Sequence, residues 1–222
     1  MKIENIKACV FDAYGTLFDV NSAAAKCKEK LGTRWEGFAN AWRTTQLEYT
    51  WLRSLMKKHK NFWEITEDSL DHTMETFKIK KELRNELLNL YKKLGPYPEV
   101  KECLEGLKTK KIKIAILSNG TPDLLRELVE SNNIQNYFDD ILSIESVGIY
   151  KPDSKVYEMP IKKYNCKPEN ICFMSSNTWD VSGGGVFGYN AVWVNRFNKV
   201  FDKLSYKPKF VINNLKELLT II

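Results

Sequence analysis

Short apolar runs that stop on a small or polar residue, with helical spacing between them, restrict this sequence more than any other feature. The clearest are KACVFDA (7–13) and IKIAILS (112–118), with weaker runs at 140–144, 171–175, 191–195 and 210–212. The intervening stretches 121–130, 153–164 and 214–220 read as helices. The first of these opens on Thr121 as N-cap with Pro122 at the first helical position. Pro160 predicts a disturbance inside 153–164. Near-continuous apolar strands alternating with helices imply an α/β fold whose parallel sheet is covered on both faces.

Residues 20–98 break the alternation. They contain no convincing strand, and apolar residues recur at helical spacing (Trp42, Leu47, Trp51, Leu52, Leu55, Met56; then Leu83, Leu87, Leu90, Tyr91, Leu94). Gly95-Pro96-Tyr97-Pro98 ends the block. The expected layout is a Rossmann-like core from 1–19 and 99–222 with an all-helical cap, 20–98, inserted after the first strand. A chain of 222 residues with 43% hydrophobic and 28% charged residues has ordinary globular composition, which excludes intrinsic disorder.

The net charge of +6 is mild. Residues 20–98 hold 15 Lys or Arg against 10 Asp or Glu, leaving 19 and 18 for the rest, a weak pointer to an anionic ligand near the cap. The Lys residues are scattered among acidic ones, so no nucleic-acid stripe is expected. Nor is a membrane partner expected, since no run approaches ~18 apolar residues. Glu4 and the short apolar start do not make a secretory signal. Cys9, Cys27, Cys103, Cys166 and Cys172 are odd in number and contain no CxxC, which favours reduced thiols in a cytoplasmic protein. His59 and His72, the only histidines, both fall in the helical block and make a triad or histidine metal site improbable.

The ends of the strand runs carry the candidate chemistry. The first run ends at Asp12, followed by Ala13-Tyr14-Gly15-Thr16, and the second at Ser118-Asn119-Gly120. Lys151-Pro152-Asp153 follows the third, and Ser175-Ser176-Asn177-Thr178-Trp179-Asp180 the fourth. In an open parallel sheet, ligands bind beyond the carboxyl ends of the strands. Two carboxylates, an ammonium, hydroxyls and amides therefore meet on one rim, whereas Asp12 alone could equally be a turn residue.

With FDAYGTLFDV (11–20), WRTTQLEYTWLRSLM (42–56), ILSNGTP (116–122), YKPDSKVYE (150–158) and SSNTWD (175–180), the chain resembles the L-2-haloacid dehalogenases of the haloacid dehalogenase superfamily. The resemblance implies that Asp12 displaces halide from C2 of an (S)-2-haloalkanoate with inversion, and that water then cleaves the aspartyl ester to give the (R)-2-hydroxy acid. It implies Arg43 and Asn119 as halide acceptors. Ser118, with backbone N–H groups near Ala13, Tyr14 and Asn119, would hold the substrate carboxylate. Thr16 would orient Asp12, Lys151 would pair with Asp12 and Asp180, and Tyr157 would support them. Asp180, with Asn177 and Ser175, would activate water. Tyr14, Leu47, Phe62 and Trp179 would wall the pocket, although Leu47, Phe62 and Trp179 also suit ordinary packing.

Related phosphatases carry an acid where Tyr14 stands and a metal-binding aspartate where Ser176 stands, so the resemblance implies no metal and no cofactor. A Mg²⁺-dependent phosphatase is the alternative. Relatives often place Gln after the arginine; Thr44 stands there, with an expected effect on pocket shape. Gly183-Gly184-Gly185 implies tight helix–sheet packing or added mobility beside Asp180. A homodimer formed through the cap is the implied assembly.

Overall fold

The computed structural model describes residues 2–222. The chain enters β1 (Ala8–Phe11) and then runs through helices only: α1 (Ser22–Lys26), α2 (Lys28–Leu31), α3 (Trp35–Leu55), α4 (Phe62–Phe77) and α5 (Arg84–Tyr91). It returns through α6 (Val100–Thr109), β2 (Lys113–Ser118), α7 (Pro122–Ser131), β3 (Asp140–Ser143), α8 (Ser154–Tyr164), β4 (Ile171–Ser175), α9 (Thr178–Phe187), β5 (Asn190–Val194), β6 (Phe210–Ile212) and α10 (Leu218–Ile221). Each expected strand is present, with ends within a residue or two of the apolar runs. Every residue of β1 and β4 is buried, as strands covered on both faces require.

The sheet is parallel throughout, in the order β3-β2-β1-β4-β5-β6. The chain builds outward from β1 through β2 to β3, then restarts on the other side of β1 with β4. Strand order therefore reverses between β1 and β4, which is where such sheets open a crevice. Phe11 pairs with Met174, and the Asp12 N–H donates to Met174 O at 2.9 Å. That register places Asp12 and Ser175 side by side at the carboxyl ends.

The all-helical cap is built on α3 and α4, packed along their lengths. Asn61 and Glu64 form a reciprocal capping box at the start of α4. The cap also docks on the core. The Tyr150 hydroxyl donates to Lys60 O at 2.6 Å, and the Glu145 carboxylate accepts from the Phe62 N–H at 3.1 Å. Trp51 on α3 meets Trp179 on α9 edge to face, with centroids 5.4 Å apart.

One expectation fails. α8 runs unbroken through Pro160, which is buried. The ring sits well inside the helix, so the cost is one backbone bond, at Val156 O, offset by packing into the core. No helix among the described residues is long and apolar enough to cross a membrane.

Candidate active site

Asp12 lies one residue beyond β1, buried, and its two oxygens have different surroundings. Oδ2 accepts from Thr16 Oγ1 at 2.9 Å, Asn177 Nδ2 at 2.8 Å and Ser175 Oγ at 3.3 Å. Oδ1 accepts only from Lys151 Nζ, at 3.2 Å, among the described residues. The tight turn after β1 makes this possible. The N–H groups of Thr16, Leu17 and Phe18 all point to Ala13 O, and Gly15 takes the positive φ of +88° that the turn needs. Thr16 is fixed from its other side by the Ser176 N–H at 2.8 Å.

Lys151 is 1% exposed and is held between two carboxylates, Asp12 at 3.2 Å and Asp180 at 2.9 Å. Burial alone would lower its ammonium pKa. The two carboxylates outweigh burial and hold it above its ordinary value. Asp180, fully buried in the first turn of α9, is pushed up to about 6 by burial, against the pull of Lys151. Its other oxygen accepts from the Tyr157 hydroxyl at 2.7 Å. Burial, and then the neighbouring Asp180, keep that phenol well above its ordinary pKa, so Tyr157 remains a donor.

The glycine run has a packing cause. A Cβ on Gly183 would stand 2.5 Å from the Tyr157 hydroxyl and 2.8 Å from Pro152, and one on Gly184 would stand 2.8 Å from the Phe173 ring. These glycines let α9 approach closely enough for Asp180 to reach Tyr157 and Lys151.

On the β2 end, Ser118 is buried and its Oγ accepts from the Gly120 N–H at 3.1 Å. The amide oxygen of Asn119 accepts from the Lys151 N–H at 3.1 Å. That bond fixes the orientation of the side chain, leaving Nδ2 as its free, donating end.

From the cap, Arg43 on α3 reaches over this rim and donates from Nη2 to Tyr14 O at 3.4 Å and from Nη1 to Gln46 Oε1 at 2.9 Å. Leu47 lies one turn further along the same face and is half-buried. Phe62 is buried at the start of α4, with its ring 5.1 Å from that of Tyr14. Tyr91 stacks on the other side of Tyr14, at 5.7 Å and 22°. Trp179 is half-buried against Trp51.

Asp12, Thr16, Asn119, Lys151, Tyr157, Ser175, Asn177 and Asp180 are joined by hydrogen bonds at the strand ends, with Arg43, Tyr14 and Phe62 beside them. Leu47 and Trp179 are half-buried and stand outside that hydrogen-bonded group. Two points adjust the expected roles. Ser175 and Asn177 contact Asp12 directly. Thr44 is exposed and faces away from the rim. Gln46, Tyr91 and Tyr150 belong to the same assembly, although the sequence motifs that contain Gln46 and Tyr150, and the apolar spacing that contains Tyr91, assign them no site role. The i to i+3 relation of Arg43 to Gln46 on a helix is the one signal that points there. His59 is exposed beside Glu145 at 3.0 Å, away from the rim. No group of three or more His, Cys, Asp or Glu side chains converges among the described residues.

Comparison with known proteins agrees with this geometry. Residues 6–188 match the model of the haloacid dehalogenase-like hydrolases. The chain is 40% identical over 219 residues to (S)-2-haloacid dehalogenase 1 of Pseudomonas sp. (strain CBS-3), covering 97% of this chain and 96% of that one. It is 38% identical to an (S)-2-haloacid dehalogenase of Pseudomonas sp. (strain YL), covering 99% and 95%. Among solved structures, the L-2-haloacid dehalogenase of Xanthobacter autotrophicus with chloropropionic acid covalently bound superposes with a TM-score of 0.90 at 32% identity, covering 97% of both chains. Matched by that family model and by these relatives over almost its whole length, this chain belongs to the L-2-haloacid dehalogenases within the haloacid dehalogenase-like hydrolases.

Proposed function

We propose that this protein hydrolyses (S)-2-haloalkanoic acids to (R)-2-hydroxyalkanoic acids and halide through an ester on Asp12. The observation that carries the reading is the asymmetry of the Asp12 carboxylate. Three donors immobilise Oδ2, while Oδ1 accepts from Lys151 alone among the described residues. A carboxylate held this way presents Oδ1 as a fixed nucleophile, and positioning of this kind removes much of the barrier to a displacement.

In the first step, Oδ1 attacks C2 from the side opposite the halogen. The new C–O bond forms as the C–halogen bond breaks, the electron pair leaves with the halide, and C2 inverts. Arg43 and the free Nδ2 of Asn119 meet the developing charge. Ser118 Oγ and the N–H groups near Ala13, Tyr14 and Asn119 hold the substrate carboxylate. Halide is a weak base and needs no proton on departure. The site fits this requirement, because Tyr14 stands where an acid would otherwise serve. Tyr14, Leu47, Phe62 and Trp179 wall off the C2 substituent.

In the second step, water attacks Cγ of Asp12 and gives up a proton to Asp180, which Lys151 and Tyr157 hold in place. Oδ2 is now the ester carbonyl oxygen, so Thr16, Asn177 and Ser175 become the donors that stabilise the tetrahedral oxyanion. Collapse breaks the bond between Cγ and the substrate oxygen, and that oxygen takes the proton from Asp180 as the hydroxy acid leaves. The second proton of the water passes from Asp12 to solvent, restoring both carboxylates. The covalent chloropropionic acid in the Xanthobacter autotrophicus relative supports this ester.

The reading divides the molecule into a catalytic core, 1–19 and 99–222, and a cap, 20–98, that closes over it. It includes a cytoplasmic homodimer joined through the cap, where Leu52, Leu55 and Met56 are exposed at the end of α3. Incubation with L-2-chloropropionate in the presence of EDTA tests the reaction, with chloride release as the expected result. No chloride, together with Mg²⁺-stimulated phosphate release from a phosphomonoester, would establish the phosphatase alternative.

A further inference from the structure

Helical geometry decides what lies beside Arg43. The next residue, Thr44, points to solvent, whereas Gln46, three positions on, shares the face of Arg43 and is buried. Gln46 Oε1 accepts from Arg43 Nη1 at 2.9 Å. The other end of the amide is fixed by two further helices. Gln46 Nε2 donates to Thr66 Oγ1 on α4 at 2.7 Å and to the Tyr91 hydroxyl on α5 at 3.1 Å. Thr66 Oγ1 spends its own proton on Phe62 O at 2.8 Å, so it faces Gln46 as an acceptor. With Nε2 committed to Thr66, the amide oxygen, which also accepts from the Tyr91 hydroxyl at 3.4 Å, is the end turned to the guanidinium. Tyr91 is held in turn between the rings of Tyr14 and Trp42.

We propose that Gln46, locked by Thr66 and Tyr91, is a positioning residue for halide departure: it sets the direction of the Arg43 guanidinium. Among the described residues, the only other hydrogen bond from that guanidinium is the longer one to Tyr14 O. Arg43 is half-buried on a flexible side chain, so without Gln46 its remaining N–H groups lose their fixed aim at the leaving atom. A neutral amide is suited to this task, because it orients the cation without cancelling the charge that the halide meets. The inference rests on the dehalogenase reading above.

A positioning role has a signature that a packing role lacks: it depends on the leaving group. Chloride is the poorer leaving group and relies more on the arginine than bromide does. The experiment compares single-turnover ester formation with (S)-2-chloropropionate and (S)-2-bromopropionate in the full-length enzyme, together with inhibition by added chloride. Gln46→Met is expected to slow the chloro substrate by roughly 10-fold, the scale of one lost hydrogen bond to a charged group. The bromo substrate should slow several-fold less, and chloride inhibition should weaken. Thr66→Val leaves Gln46 in place but removes its anchor, and should widen the same ratio by a smaller factor; it carries the test should Gln46→Met fail to fold. Equal slowing of both substrates in either variant, or unchanged rates, with chloride inhibition unaltered, would overturn the positioning role while leaving the dehalogenase reading intact. A wild-type enzyme that releases neither halide would remove that reading, and this inference with it.

Discussion

On the core rim, Lys151 is buried between Asp12 and Asp180, and Asp180 is held by Tyr157 as well. On the cap face, Arg43 is half-buried and held by a neutral amide and a backbone carbonyl, with N–H groups to spare. The first arrangement gains its strength from low dielectric, where an unpaired charge is very costly. The second leaves a cation available for an anion that arrives and another that departs. Damage to the core should therefore cost stability and chemistry together. Damage to the cap should cost rate alone.

The largest expected effect is at the nucleophile. Asp12→Asn should lower turnover by roughly 10⁴-fold or more, since groups that act as a unit fail together; steady-state chloride release reads it. Lys151→Met should abolish turnover and also destabilise the fold by about 3–5 kcal/mol, because two buried carboxylates lose their shared cation. Urea unfolding measures the second effect, and a variant that unfolds with the wild type would break the contrast. Arg43→Lys should reduce ester formation by roughly 10²-fold through loss of directed donors. Its unfolding midpoint should stay near that of the wild type.

The smallest effects concern pH and packing around Asp180. Its carboxyl is raised in the folded state, from the ordinary 3.8 to about 6, so protonation favours the fold, and its contribution to stability falls as pH rises through that window. Its work as a base needs the ionised form. The deacylation rate should therefore climb as Asp180 ionises. Because the ester removes the Asp12 charge that helps raise this carboxyl, the acid limb should lie below about 6, with ester accumulating beneath it, and a rapid-quench pH series checks this. Gly183→Ala would force Tyr157 away and cost about 1–3 kcal/mol. Loss of the Tyr157 hydrogen bond, which favours the carboxylate, should move the acid limb upward.

The sheet was legible in the sequence because buried parallel strands are apolar along their whole length and stop where the site begins. KACVFDA and ICFMS show this directly. Asp12, Ser118, Lys151 and Asp180 were legible for the same reason, since each closes or follows such a run. The cap was harder to read. Gln46 reads as a polar position on an amphipathic helix and Tyr91 as part of an apolar stripe, and only the convergence of α3, α4 and α5 joins them in one hydrogen-bonded cluster. Most of the positive charge of 20–98 lies away from the rim. Lys30 pairs with Glu86, Arg53 and Lys60 with Asp68, and Arg84 with Asp71. Pairs at or near the surface do little for binding or stability, and of the cap's cations it is Arg43 that reaches the Asp12 loop. Pro160 misled for a different reason: a local rule on helix breaking gave way to packing in the core.

The central claim is that Asp12 itself carries the substrate and supplies the oxygen of the product. A single turnover of excess enzyme with L-2-chloropropionate in heavy-oxygen water, followed by mass analysis of both the hydroxy acid and the peptide containing Asp12, tests it directly. The account predicts unlabelled hydroxy acid and label in the Asp12 carboxylate. Label in the hydroxy acid on that first turnover, with Asp12 unlabelled, would contradict it.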